Sequence, residues 1–292
     1  MAREETPFRR ILSDFLASPT AVFGLVLLAA ILAVAIAAPL ISPQNPYDLA
    51  QLDVVDGRLP PGATTEGGTF WLGTDDQGRD MLSAIFYGLR ISLTVGVVST
   101  VIALALGLAL GLAAAYFGGW TETVIMRIAD IQLSFPAILI ALILLAVLGQ
   151  GMLKIIAALV TVQWAYYART VRSAALVEKR KEYIEAARCL ALPPSRIVFR
   201  HLLPNCLPPL IVVATVQVAA AIALEATLSF LGLGLPITEP SLGLLIANGY
   251  QYLLSGKYWI SFFPGVALLI TIVSINLVAD QLRDVLNPRL QR

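Results

Sequence analysis

The chain has 292 residues, of which 58% are hydrophobic and 13% charged, and its formal net charge is +1. Soluble domains carry about 25% charged residues, so this composition excludes an ordinary soluble domain and is typical of a protein embedded in a membrane. A net charge this close to zero also excludes the basic footprint of a nucleic-acid-binding domain.

The first apolar run lies at residues 21–41 and follows a tail that contains three arginines. A secretory signal peptide has the same order of charged and apolar residues, but its apolar region usually has about 7–15 residues. We therefore predict a retained first transmembrane helix whose N-terminus is cytoplasmic. Residues 42–70 are rich in Pro, Gly and Asp, and we expect an external loop there. Residues 1–70 thus make up a first unit of tail, span and loop.

The segment before the second span contains a helix-start pattern. Thr74 and Gln77 fit a capping box, which predicts a helix that begins at Asp75. An apolar face follows, so we expect a short helix at the membrane interface ahead of the span. That face consists of Met81, Ala84, Ile85 and Gly88. The alternative is a metal site formed by Asp75, Asp76 and Asp80; it is not favoured, because no histidine accompanies them and helix capping accounts for these side chains.

Three spans follow in this interpretation: residues 91–117, residues 131–148 with a bend at Pro136, and residues 155–175. Residues 118–130 are expected to be a short internal connection. Small residues recur every four positions along the second span, which favours close packing within the chain over a contact between subunits. This stripe consists of Ala103, Gly107, Gly111, Ala115 and Gly119.

The fifth span is predicted at residues 206–231 and the sixth at residues 258–279, with residues 232–257 external or re-entrant between them. Glu225 lies about 20 residues into the fifth span, hence about 30 Å along a helix and near the outer surface. An acid there needs water, a hydrogen bond or a cationic partner. Two interpretations stay open for Glu225, namely a structural role at the interface and a role in a gate or a substrate path.

The distribution of basic residues tests this topology independently. The predicted inside holds 15 of the 20 Lys and Arg residues and the predicted outside holds 5. This is the direction that the positive-inside rule requires. The sequence therefore predicts an all-α membrane protein with six transmembrane helices and both termini cytoplasmic.

A charged segment, residues 178–205, separates the fourth and fifth spans. Apolar and small side chains recur at three- and four-residue spacings over residues 182–191, which predicts a helix. Pro193 and Pro194 stop it, because a residue before proline avoids the α region and proline has no N–H. Ser195 offers an N-cap for a second short helix. We expect a cytoplasmic helix–turn–helix.

The pattern Glu185-Ala186-Ala187, Ala191 and Leu203-Pro204-Asn205 resembles the EAA loop of the permeases of ATP-binding-cassette (ABC) importers. The resemblance implies a coupling helix that docks on a cytoplasmic ATPase. Ala191 stands where the family usually has Gly, and His201 stands where it often has Ile. The alternative is a basic loop that touches lipid headgroups. The residues expected to contact the ATPase are Glu185, Ala186, Ala187, Leu190, Ala191 and Arg196.

Two further segments indicate which branch of the permease family the chain resembles. GTDxxGRD…YGxRxSL at residues 73–93 and EATLSFLGLG at residues 225–234 are similar to segments of the dipeptide, oligopeptide and nickel branch of these permeases. The resemblance implies that residues 71–292 form a permease domain with five spans in a bacterial inner membrane. Its implied partners are a second homologous permease, two cytoplasmic ATPase subunits and an external substrate-binding protein. The implied function is ATP-driven import of di- or oligopeptides, with nickel or another small solute as the alternative cargo.

No catalytic constellation is recognisable in the chain. It lacks a phosphate-binding P-loop pattern, its one histidine excludes an HExxH metal site, and no nucleophile motif surrounds His201. ATP and Mg²⁺ are therefore expected on partner subunits, with no cofactor or metal in this chain. A membrane enzyme is not favoured. An ion-coupled transporter is not favoured either, because it would need ionisable residues deep within several spans, and beyond Glu225 and the amides Gln163 and Gln217 the spans offer few.

Overall fold

The structure, a computed structural model, describes residues 7–48, 52–65 and 68–286 and is mainly helical, as predicted. The predicted cytoplasmic ends, residues 1–6 and 287–292, lie outside the described residues. In chain order the helices are α1 Pro7–Leu16, α2 Pro19–Ile41, α3 Met81–Phe117, α4 Gly119–Leu133, α5 Ala137–Leu148, α6 Met152–Glu178, α7 Glu182–Cys189, α8 Pro194–Arg196, α9 Leu203–Phe230, α10 Leu242–Tyr250 and α11 Trp259–Val285.

The loop after α2 contains structure that the sequence did not predict. Strands β1 Ala63–Thr65 and β2 Gly68–Phe70 pair antiparallel, with Ala63 opposite Phe70. A short 3₁₀ turn, Val54–Asp56, precedes them. The all-α prediction therefore missed a small hairpin in this loop.

Helix α3 begins later than the capping-box pattern predicted. Asp80 is its N-cap, and the Asp80 carboxylate accepts a hydrogen bond from the Ser83 N–H at 2.9 Å. The Thr74 hydroxyl is occupied elsewhere, because it accepts from the Leu59 N–H at 2.8 Å. The prediction of a helix from Asp75, with a separate interfacial helix before the span, is therefore wrong. One helix of 37 residues replaces both.

The connection and third span also differ from the prediction. Residues 118–130 are mostly helical as part of α4, and α4 meets α5 at an angle of 92°. Pro136 lies at the break as the N-cap of α5. Helix α5 has 12 residues and is about 18 Å long, short of the roughly 30 Å of a bilayer core.

Four helical segments of the described chain are long and apolar enough to cross a membrane, or five if the bent α4–α5 pair counts as one span. The four are α2, α3, residues 194–230 and α11. Helix α6 has 27 residues, about 40 Å, but Lys154, Gln163 and Arg169 reduce its apolar character.

The small-residue stripe on α3 packs against α6. A Cβ atom added at Gly107 would lie 2.5 Å from Tyr167 Cβ, and one at Gly111 would lie 2.6 Å from the Ala168 carbonyl oxygen. Only glycine permits this approach of the two backbones. The predicted packing within the chain is confirmed, except at Gly119, which has open space around it.

Candidate functional site

Helix α7 forms the predicted helix of the charged loop. Its first turn contains Glu182 and Glu185 and its last turn contains Arg188, an order that complements the helix dipole. At its end the Leu192 N–H donates to the Ala187 carbonyl, and the Ala191 N–H donates to the Arg188 carbonyl. These two hydrogen bonds form a Schellman motif.

Ala191 occupies the position of this motif that favours glycine. Its φ is 53°, in the left-handed region, where a Cβ atom is unfavourable. Ala191, which stands where the family usually has Gly, therefore places a Cβ atom in a strained part of this turn.

The two faces of α7 differ sharply. Ile184 and Ala187 are buried against α3, α6 and the start of α9, and Ala187 is only 4% exposed. Leu190 is 74% exposed, and four of the other predicted contact residues are exposed with it. These four are Glu185, Ala186, Ala191 and Arg196. Ala187 therefore faces the core of its own chain, and its side chain is not part of an exposed docking face.

Ser195 is not the N-cap of the second short helix, contrary to the prediction. Helix α8 starts at Pro194 with Pro193 as its N-cap, and residues 194–230 continue as one helical segment. Residues 197–202 form a π-helix within it, in which the Leu203 N–H donates to the Val198 carbonyl. Pro204 follows directly; it has no N–H to donate, which favours a local departure from the regular α pattern.

Glu178 ties the loop to the rest of the chain. Its carboxylate accepts hydrogen bonds from Lys181 Nζ and from the Tyr183 hydroxyl, both at 2.6 Å. Burial alone would raise its pKa, but the hydrogen bonds from Lys181 and Tyr183 outweigh burial and lower the Glu178 pKa. Asn205 Nδ2 in turn donates to the Tyr183 hydroxyl at 3.2 Å. Helices α6, α7 and α9 are thereby joined at one point.

Lys179 fastens the end of α3 to the same loop. Its Nζ donates to the Ala115 and Tyr116 carbonyls at 2.8 and 2.9 Å. A cation on the last carbonyls of a helix complements the negative end of the helix dipole. The loop and the C-terminal end of α3 therefore lie at the same end of the molecule.

Exposed apolar side chains accompany α7. Phe199 is 66% exposed and borders an apolar groove of about 520 Å³ between α3 and the start of the 194–230 segment. With Leu190, it gives this end of the protein large apolar side chains beside charged ones. Aromatic and aliphatic anchors with a charged rim are typical of a protein-binding surface.

Glu225 is fully buried at the other end of the segment. Its carboxylate accepts hydrogen bonds from the Ser92 hydroxyl at 3.0 Å and from the Ser229 hydroxyl at 2.8 Å. Ser241, the N-cap of α10, lies near the same carboxylate. The partner that a buried acid at position 225 needs is thus supplied by serine hydroxyl groups. Through them α9 is linked to α3, and Glu225 also lies beside the start of α10.

The sequence did not reveal a buried ion pair before α3. Arg79 is 1% exposed, and its Nε lies 2.7 Å from the Asp75 carboxylate. Arg79 Nη1 donates to the Ile237 carbonyl at 3.1 Å. Asp75 is thus engaged by Arg79 and Asp80 by the N-terminus of α3, so the two carboxylates serve different partners. The spacing of four between Asp75 and Arg79 was the available signal.

Two family models match the chain. The model described as binding-protein-dependent transport system inner membrane component matches residues 107–292, more than half of the chain. The model described as the N-terminal transmembrane domain of oligopeptide transport permease C matches residues 6–61.

Curated relatives match over nearly the full length. The chain is 40% identical over 289 residues to the dipeptide transport system permease protein DppC of Escherichia coli strain K12, covering 98% of this chain and 95% of the relative. It is 36% identical over 288 residues to the di/tripeptide transport system permease protein DppC of Pseudomonas aeruginosa strain UCBPP-PA14, covering 98% and 93%.

Among solved structures, the chain is similar to a chain of the MetNI methionine ABC transporter in inward-facing conformations. The TM-score is 0.57 at 24% identity, covering 71% of this chain and 98% of that chain. This similarity establishes a shared fold.

Proposed function

The chain belongs to the family of binding-protein-dependent transport system inner membrane components, and from that premise we propose that it imports di- or oligopeptides as the permease subunit of an ABC importer. The observation that supports this cargo most directly is the 40% identity, over 98% of the chain, to a dipeptide permease. The chain lacks a P-loop, so the energy must come from other subunits. ATP and Mg²⁺ would be bound there.

We propose four partner subunits. A second homologous permease completes the membrane part, two ATPases bind the cytoplasmic face, and a substrate-binding protein delivers cargo from outside. We further propose that six segments cross the bilayer, with α6 and the α4–α5 pair added to the four apolar segments and with both termini inside. The basic residues, 15 inside against 5 outside, support this orientation.

The exposed residues of α7, of the turn that follows it and of α8 are the proposed docking surface for an ATPase. Glu185, Ala186, Leu190, Ala191 and Arg196 form it, and their exposure supports this role. Ala187 and Ile184 hold the helix in place from the opposite face. Movement of the ATPases would pass through α7 into the 194–230 segment.

Glu225 lies at the far end of that segment. Its hydrogen bonds to Ser92 and Ser229 support a structural link between α3 and α9. These hydrogen bonds join helices that must move during transport. We therefore propose that α3 and α9 either move together or break these hydrogen bonds when the permease opens.

Replacing Leu190 by Glu tests the docking surface. Leu190 is exposed, so the isolated subunit should remain inserted and fold normally. A charge placed in an apolar contact should reduce ATPase co-purification at least about tenfold and stop ATP-driven uptake of a dipeptide into liposomes. Leu190→Met, which keeps an apolar side chain of similar size, is the matched control and should retain both. Unchanged co-purification and uptake with Leu190→Glu would show that α7 does not dock.

A further inference from the structure

A pocket of about 460 Å³ lies at the end of the protein opposite to α7. It is enclosed by the loop after α2, the segment before α3, the start of α6 and the loop after α9. The 37 residues of α3 extend for about 55 Å, and Lys179 joins the loop of α7 to their far end. In the proposed topology the pocket therefore faces the outside.

The pocket contains a carboxylate without a counter-ion. Glu239 is half-buried in its lining, and within the described residues no hydrogen bond or ion pair engages its side chain. Arg79 lines the same pocket, but Asp75 already neutralises its charge at 2.7 Å. Among the described residues that line the pocket, Glu239 is therefore the charged group without an ion pair, and a carboxylate in that position favours a cationic ligand group.

The same pocket has hydrogen-bond donors beside the acid. Arg79 Nη2 is buried and, within the described chain, finds no acceptor. A buried donor without an acceptor is unfavourable, and a ligand carbonyl oxygen would satisfy it.

Tyr47 adds a second donor to the lining. Its ring packs edge-on against Tyr87 with centroids 5.2 Å apart, which orients the hydroxyl. A tyrosine hydroxyl is protonated at neutral pH even at its ordinary pKa, and burial together with the nearby Glu239 carboxylate raises the pKa of Tyr47 further, to about 12.

We propose that this pocket is an outer binding site for the amino terminus of peptide cargo. The ammonium group pairs with Glu239, and the first peptide carbonyl oxygens accept hydrogen bonds from Tyr47 and Arg79. The volume lies within the roughly 300–1,000 Å³ of small-molecule sites, and the site combines one charge with a few donors. The assignment rests on the proposed function and adds to it a place where cargo pauses before entering the membrane.

The test measures peptide binding to the membrane complex without the binding protein. The assembled permeases and ATPases in nanodiscs are titrated with Ala-Phe and with N-acetyl-Ala-Phe, and saturation-transfer NMR gives the Kd. Glu239→Gln should raise the Kd for Ala-Phe at least about tenfold, since an ammonium–carboxylate contact is lost. Wild-type complex should bind the acetylated peptide as weakly as Glu239→Gln binds Ala-Phe. Asp284→Asn, which removes an exposed carboxylate at the end of α11, should leave the Kd unchanged.

Three results would overturn the proposal. Equal binding of both peptides by the wild type excludes recognition of the amino terminus, and equal Kd values for wild type and Glu239→Gln exclude Glu239. A variant that binds Ala-Phe normally but no longer binds the substrate-binding protein assigns the pocket to a protein contact instead. ATP-driven dipeptide uptake by the wild type, measured separately with the binding protein, tests the proposed function independently of these outcomes.

Discussion

The end of this permease at the start of α3 and the end at α7, which are the proposed outer and inner ends, differ in how their charged side chains are paired. At the outer end the Arg79–Asp75 pair and Glu225 are buried and engaged within the chain. At the inner end the Arg169–Asp130 pair is about half exposed on both sides. The inner end also leaves Leu190 in solvent. Buried charges at the proposed outer end are thus paired within the chain, apart from the groups that line the Glu239 pocket, whereas the proposed inner end has the composition of a surface that binds another protein.

The largest expected effect comes from breaking the buried pair. Asp75→Ala leaves the Arg79 cation without its counter-ion and should destabilise the protein by about 3–5 kcal/mol. Asp130→Ala removes the exposed partner of Arg169 and should cost at most about 1 kcal/mol, because solvent screens that pair. Chemical denaturation in detergent, followed by circular dichroism, measures both. Equal losses of stability for Asp75→Ala and Asp130→Ala would contradict the proposed difference between the two ends.

A smaller loss of stability is expected at Lys179, a partly shielded charge at the proposed inner end. Lys179→Met removes two hydrogen bonds to the last carbonyls of α3 and should cost about 1–2 kcal/mol. Lys181→Met, in the same loop, removes an ion pair with Glu178 in which the Lys181 side chain is half exposed, and should cost about 0.5 kcal/mol or less. The same denaturation measurement applies. A larger loss at Lys181 would contradict the assignment of Lys179 as the anchor.

The smallest effect is a gain. Ala191→Gly relieves the left-handed φ of 53° and should stabilise the turn by about 1 kcal/mol, less the greater freedom of glycine in the unfolded chain. Ala186→Gly, within α7, should instead destabilise by about 0.5–1 kcal/mol. Opposite signs for the two variants would confirm the Schellman geometry. A loss at both positions would refute it.

Local signals in the sequence were sufficient for α7 but not for α3. Pro193 and Pro194 predicted the approximate end of α7, because their effect is local and steric, although the helix itself ends at Cys189 in the Schellman motif. The start of α3 was misplaced because the Thr74 hydroxyl is engaged by Leu59, 15 residues away in the sequence. A capping pattern specifies which hydrogen bonds are available within one turn, but it does not exclude competition from a distant segment.

The site shows the same division between local and distant information. The exposed residues at α7 were predicted as ATPase contacts because they belong to a recognisable motif. Ala187 was placed with them, although the structure buries it beside Ile184. Spacing identifies an apolar face of a helix but not which part of it contacts the rest of the chain. The pocket at Glu239 was missed because its lining comes from four segments far apart in the sequence.

The continuity of residues 194–230 has a mechanical consequence. Thirty-seven residues without a sharp bend make a lever about 55 Å long, with Phe199 near one tip and Glu225 near the other. Tilting such a lever by about 10° about one tip displaces the other by about 10 Å, so a modest push by an ATPase would be magnified across the bilayer. The π turn at Ile197–Leu202 lies at the end of the segment that is nearest to the proposed ATPase contact. Its irregular hydrogen bonding makes it the part of the helix where we expect bending.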